Sequence, residues 1–173
     1  VPNLIPALQD QGIPAQKAAT AISIFGIAVI AGRLIVGYLV DKLWAPGVAA
    51  VAISLPVIGS LLLVGAPGFF IACVAAAFLG FAAGAELDLM AFLAAKYFGL
   101  LHYAKIYAVL YAALALASGV APMIFATIFD ITGSYNIGFL FGAGFFAIGA
   151  LMILALGKYP DIATETDKGK TNP

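Results

Sequence analysis

Residues 32–43 read GRLIVGYLVDKL. Arg33, Gly37 and Asp41 recur every four residues, so in an α-helix they form one stripe, with leucine, isoleucine and valine filling the rest of the surface. An arginine among such neighbours is costly unless something meets its charge. What surrounds this helix therefore decides how it is read, and the composition of the chain supplies that. Of 173 residues, 64% are hydrophobic and 9% are charged, against roughly 25% charged in a soluble domain. Mean hydropathy is +1.12. A soluble fold of this size could not cover so much apolar surface, so the chain reads as a set of membrane-spanning helices of about 20 residues each.

Turn formers and charges divide the chain. Residues 1–8, which carry Pro2 and Pro6 and no initiator Met, read as the tail of a helix that begins upstream. A polar loop, QDQGIPAQK, occupies residues 9–17. Complete spans are expected near 18–43, 48–64, 69–95, 106–129 and 137–156, separated by WAPG, GAPG, an amphipathic loop over 96–105 and the turn DITGSYN over 130–136. The expected architecture is an all-α membrane bundle over residues 1–157, five complete helices and the tail of a sixth. A charged, disordered segment follows over 158–173.

Lysine placement gives the orientation. Lys42, Lys96, Lys105, Lys158, Lys168 and Lys170 fall in alternate connections and the tail, and Lys17 alone falls on the other side, so the C-terminus is expected in the cytoplasm. Formal net charge is zero, which gives no reason to expect nucleic acid. The single cysteine, Cys73, excludes a disulfide framework and a thiolate metal site. His102 reads as a solvated or headgroup-facing loop residue. No HExxH, P-loop or GxSxG sequence is present, so neither an enzyme nor a bound cofactor or metal is expected.

The polar residues inside the spans carry the function. Arg33 precedes Asp41 by eight residues, roughly 12 Å along a helix axis, which puts its guanidinium deep in the bilayer. A charge there faces the protein interior, where a carboxylate or an anionic ligand can meet it, or snorkels to the headgroups. The span GFAAGAELDLMAFLAAK, residues 80–96, places Glu86 and Asp88 at similar depth. Two residues apart means about 200° around the helix, so these carboxylates point different ways. Asp88 shares a stripe with Gly80 and Gly84, and small-xxx-small stripes admit a close neighbouring helix. Glu86 is then left to face a cavity. Each carboxylate reads either as a proton carrier or as the structural ion-pair partner of Arg33.

In order and spacing, these segments resemble the major facilitator superfamily. GRLIVGYLVDKL looks like its cytoplasmic helix-pair motif, a glycine-rich helix end with GxxxD and a basic residue, here Gly32, Gly37, Asp41 and Lys42. YFGLLHYAKIYAVLYA and FDITGSYNIGF are similar to segments joining the last three helices of oxalate/formate-antiporter-like and monocarboxylate-transporter-like members. The resemblance implies the C-terminal half of a twelve-helix transporter, from the end of helix seven to helix twelve, in a plasma (inner) membrane. Its partners would be the N-terminal six-helix half, lipid, a small organic anion and, for a symporter, protons. The superfamily's inverted repeats leave a faint trace, since GRLIVGYLVD aligns with APMIFATIFD at residues 121–130, pairing Asp41 with Asp130.

By resemblance, Arg33 before Gly37 matches the arginine that binds substrate carboxylate in helix eight, and a guanidinium fork suits that task. Tyr107, Tyr111 and Ser118 supply hydroxyls on the helix-eleven segment, with Tyr107 and Tyr111 as candidate substrate contacts. Two departures matter. Val29 stands where monocarboxylate carriers have a proton-coupling aspartate, and the helix-eleven segment lacks the second basic residue of the oxalate carrier. A single cation favours a monoanion, and proton carriage falls to Glu86, Asp88 or the other half. Asp41 and Lys42 resemble the gating latch, although WAP replaces the usual Gly-Arg-Arg. Gly119 and Pro122 mark a bend that could serve a gate. Asp130, with Thr132 and Ser134, reads as a turn residue between helices. The implied activity is secondary transport of a small monocarboxylate by alternating access, as proton symport or anion exchange. The competing readings are a transporter-like receptor, an assembly subunit or a channel, and no selectivity-filter sequence supports the last.

Overall fold

A computed structural model describes residues 4–65 and 68–157. The tail expected over 158–173 lies outside the described residues. The described chain is helical, in the order α1 (Leu4–Asp10), α2 (Ala15–Lys42), α3 (Ala45–Leu62), α4 (Phe69–Phe98), α5 (Tyr103–Thr132) and α6 (Asn136–Leu154). Five of these, α2 to α6, are long and apolar enough to cross a membrane. The short connections between them turn the chain back each time, so α2, α4 and α6 run one way and α3 and α5 the other.

Four connections are tighter than the sequence suggests: the polar loop over 9–17 shortens to 11–14, the WAPG turn to 43–44, and the other two lie at the ends of α5. The expected loop over 96–105 contracts to four residues, 99–102, because Lys96, Tyr97 and Phe98 continue α4 until Gly99 breaks it at φ 73°. Lys96 stays on the helix with its ammonium 5.5 Å from the Phe92 ring centroid. At the other end α5 runs on to Thr132 and stops at Gly133, whose left-handed φ of 67° suits glycine. Asp130 is consequently helical, and the turn chemistry falls to its neighbours. Thr132 donates from Oγ1 to the Ile128 carbonyl at 2.7 Å, and Ser134 Oγ accepts the Asn136 N–H at 3.2 Å.

Because lipid tails are as apolar as leucine, helices in a membrane gain by fitting closely rather than by leaving water. The buried residues reflect this. One cluster gathers Leu8, Ile13, Ala18, Ala21, Leu63, Ala72 and Ala75, and a second gathers Val36, Val40, Ala45, Ala49, Ala52, Ala85 and Leu89. Alanine dominates both, while Leu34, Phe70, Leu116 and Phe145 stay on the outside. Side chains tie the helix ends together: Gln11 Nε2 donates to the Leu63 carbonyl at 2.9 Å, the Gly65 N–H to Asn136 Oδ1 at 3.2 Å, and the Tyr97 hydroxyl to the Gly157 carbonyl at 2.7 Å.

The most extensive packing joins α2 to α4. Glycines make it possible. A Cβ on Gly80 would collide with the Phe25 carbonyl, one on Gly84 with the Val29 carbonyl, and one on Gly32 with the Phe81 carbonyl. The two helices therefore touch backbone to backbone at three levels, in the geometry of Cα–H···O contacts. α3 packs on α4 and α6, whereas α5 makes slight contact with α4 and α6 and buries none of its residues.

Candidate functional site

Descending the α2–α4 seam by one turn at a time, Gly80 meets Phe25, Gly84 meets Val29, and Asp88 meets Arg33. The constant step of four on both helices follows from their parallel course. It delivers the one carboxylate of the glycine stripe to the one arginine of α2. Arg33 Nε lies 3.3 Å from Asp88 Oδ2, with the two side chains 53% and 42% exposed. This is the only ion pair among the described residues. Asp88 occupies one edge of a group with five N–H donors, so the guanidinium keeps capacity for a second carboxylate.

Glu86 lies elsewhere. It faces a cleft of about 420 Å³ between α4 and α5, with Ala83 and Leu87 on its own helix and Tyr111, Leu114, Ala115 and Ser118 opposite. Of the two carboxylates, the structure thus brings Asp88 to Arg33 and turns Glu86 away, with the body of α4 between the two sites. Tyr107 and Tyr111 belong with Glu86 rather than with Arg33. They stack along α5, Tyr103 on Tyr107 at 5.5 Å and Tyr107 on Tyr111 at 6.2 Å between ring centroids. Pro122 sits in α5 one turn after Ser118 and, as proline, has no N–H for the Ser118 carbonyl.

The remaining expected residues occupy the helix ends. Lys42 turns back on its own helix and bonds the Tyr38 hydroxyl, its ammonium 4.3 Å from that ring's centroid, while Asp41 is exposed. Gly37 and Gly119 have open space where a Cβ would stand, so neither is a packing glycine. Gly32 is one, at the Phe81 carbonyl. His102 precedes α5 on the surface. Among the described residues, no three His, Cys, Asp or Glu side chains gather as a metal set. Tyr103, stacked on Tyr107, and Ser118, in the cleft lining, join the two expected tyrosines on this face. The spacing of Tyr103, Tyr107, Tyr111 and Ser118, at intervals of four, four and seven, would have placed all four on one stripe.

The chemistry available is thus a guanidinium shared with a carboxylate on one side of α4, and an uncompensated carboxylate among hydroxyls and aromatic rings on the other. Comparison with known proteins adds one finding. The family model for the Major Facilitator Superfamily matches residues 1–172. No curated protein and no solved structure matches the chain.

Proposed function

The chain belongs to the Major Facilitator Superfamily, a family of multi-pass membrane transporters, and from that premise we propose that it is the C-terminal half of a carrier for a small organic monocarboxylate. The observation that carries the reading is the half-exposed Arg33, deep in α2 and held by one carboxylate. A substrate carboxylate competes with Asp88 for the guanidinium. When Asp88 is protonated it gives up its claim, and Arg33 binds the substrate through two parallel N–H···O bonds. When Asp88 ionises again, it retakes the arginine and the substrate leaves. Proton and substrate then travel together, and exchange of one carboxylate for another needs only the competition itself.

Alternating access places such a site near the midplane between two halves. Gly119 and Pro122 give α5 a place to bend, and Asp41 and Lys42 stand at the mouth. The lysine distribution supports a cytoplasmic position for the Lys42 and Lys96 ends and the C-terminus, in the plasma or inner membrane. A single guanidinium, with no second cation over residues 106–129 of α5, favours a monoanion over oxalate.

The test is uptake of radiolabelled lactate, pyruvate, formate and oxalate by the full-length transporter, with and without an inward proton gradient, in wild type and Arg33→Gln. Saturable monocarboxylate uptake, abolished by the substitution in correctly inserted protein, is the expected result. Uptake indifferent to Arg33 would show that the arginine serves only to hold α2 to α4. No uptake of any carboxylate would leave a receptor or assembly subunit with a transporter fold.

A further inference from the structure

The competition for Arg33 makes no use of Glu86, yet the chain builds a cleft around it. The polar residues that line that cleft are Glu86, Tyr111 and Ser118, so its one charge is a carboxylate and its one ring is a tyrosine. Neither lysine, arginine nor histidine lines it. The Tyr103–Tyr107–Tyr111 stack leads to it from the start of α5, presenting one ring per helical turn. Aromatic faces beside a lone carboxylate are the surroundings that a desolvated organic cation selects.

We propose that the α4–α5 cleft is a binding site for an alkylammonium cation, with Glu86 as its counter-charge, Tyr111 as its π face and the tyrosine stack as its approach. Size argues for an organic cation over a bare ion. A proton needs no cleft, and an alkali ion needs a close shell of oxygens rather than about 420 Å³ lined largely by alanine, leucine and an aromatic ring. The proposal goes beyond the carboxylate reading and is physically separate from it, because Glu86 and Asp88 leave α4 on different sides. A carboxylate at Arg33 and an ammonium group at Glu86, carried together, cross the membrane without net charge.

The test is equilibrium binding of radiolabelled tetraethylammonium to the detergent-solubilised full-length protein at neutral pH. Saturable binding is expected. Glu86→Gln should weaken it at least about tenfold, and Tyr111→Leu about fivefold, while Tyr111→Phe, which keeps the ring, leaves it near wild type. A second measurement needs no variant: carbodiimide labelling of Glu86 in the wild-type protein, followed by peptide mass mapping, should slow severalfold in saturating tetraethylammonium. Absence of saturable binding, binding insensitive to Glu86→Gln in folded protein, or labelling unaffected by the cation would each overturn the assignment. So would radioactive sodium binding that depends on Glu86 where tetraethylammonium does not bind. Since the readout is binding, failure here leaves the Arg33 reading standing, and carboxylate uptake indifferent to Arg33→Gln leaves this one standing.

Discussion

Adding one methyl group at Gly84 tests the seam on which the ion pair depends. In the structure the carbonyl carbon of Val29 lies 2.8 Å, and its Cα 3.0 Å, from where that methyl would stand, with the oxygen nearer still, whereas ordinary contacts of a Cβ begin near 3.4 Å. Backbone cannot swing aside as a side-chain tip can, so α4 must retreat by roughly 1 Å to restore van der Waals separation. Overpacking of this kind costs about 1–3 kcal/mol. Alanine also gains about 1 kcal/mol over glycine in a helix interior, which would blur the result if Gly84→Ala were read alone. Gly37 provides the control, since it is also mid-helix but has nothing within 4 Å of its missing Cβ. The helix gain is common to both substitutions and cancels. Gly84→Ala should therefore be less stable than Gly37→Ala by about 1–3 kcal/mol, where each 1.4 kcal/mol is tenfold in the unfolding constant. Reversible unfolding in mixed detergent micelles, followed by far-UV circular dichroism, measures the difference. The same retreat carries Asp88 away from Arg33, one turn along, so Gly84→Ala should also weaken carboxylate uptake. If the two alanine variants unfold alike within about 0.5 kcal/mol, α2 and α4 do not meet backbone to backbone, and the argument for the pair's placement fails with them.

Two further outcomes follow from side-chain contacts of α4. In a double-mutant cycle, Arg33→Gln and Asp88→Asn should each destabilise the fold, and the double variant should recover about 0.5–1 kcal/mol relative to the sum, the modest value fitting a half-exposed pair; strict additivity would mean that the two side chains do not interact. Tyr97→Phe removes the 2.7 Å hydrogen bond to the Gly157 carbonyl and should destabilise the end of α6 by about 0.5–1.5 kcal/mol, read as faster hydrogen exchange in its last turn, while unchanged exchange there would refute it.

What the residues disclosed, and what they withheld, follows from helix geometry in an apolar solvent. Spans were legible because charges and turn formers are rare enough to punctuate the chain. The Gly80, Gly84 and Asp88 stripe was legible because a four-residue repeat defines a face without knowledge of the partner, and the structure sets that face on α2. The direction of Glu86 followed only as the complement of that stripe. Its neighbours on α5 share a stripe of hydroxyls at helical spacing, but nothing in that stripe names the helix it faces. Loop limits differ where lysine, tyrosine and phenylalanine continue a helix past its apolar run, as at 96–98. Asp130 looked like a turn residue from its threonine, serine and glycine neighbours, yet Gly133 alone sets the end of α5.

The glycine contacts between α2 and α4 carry a mechanical consequence. Meshed at three levels, the two helices cannot slide by less than a full turn, about 5.4 Å, so any smaller displacement carries them as a single lever. Whatever rides on the lever keeps its shape during the stroke, and the Arg33–Asp88 pair rides on it. The wall formed by α5 does not, since that helix is barely held. If the carrier works by alternating access, the gap between α4 and α5 would widen and narrow as the lever swings, while the arginine site would be the constant against which that movement is measured.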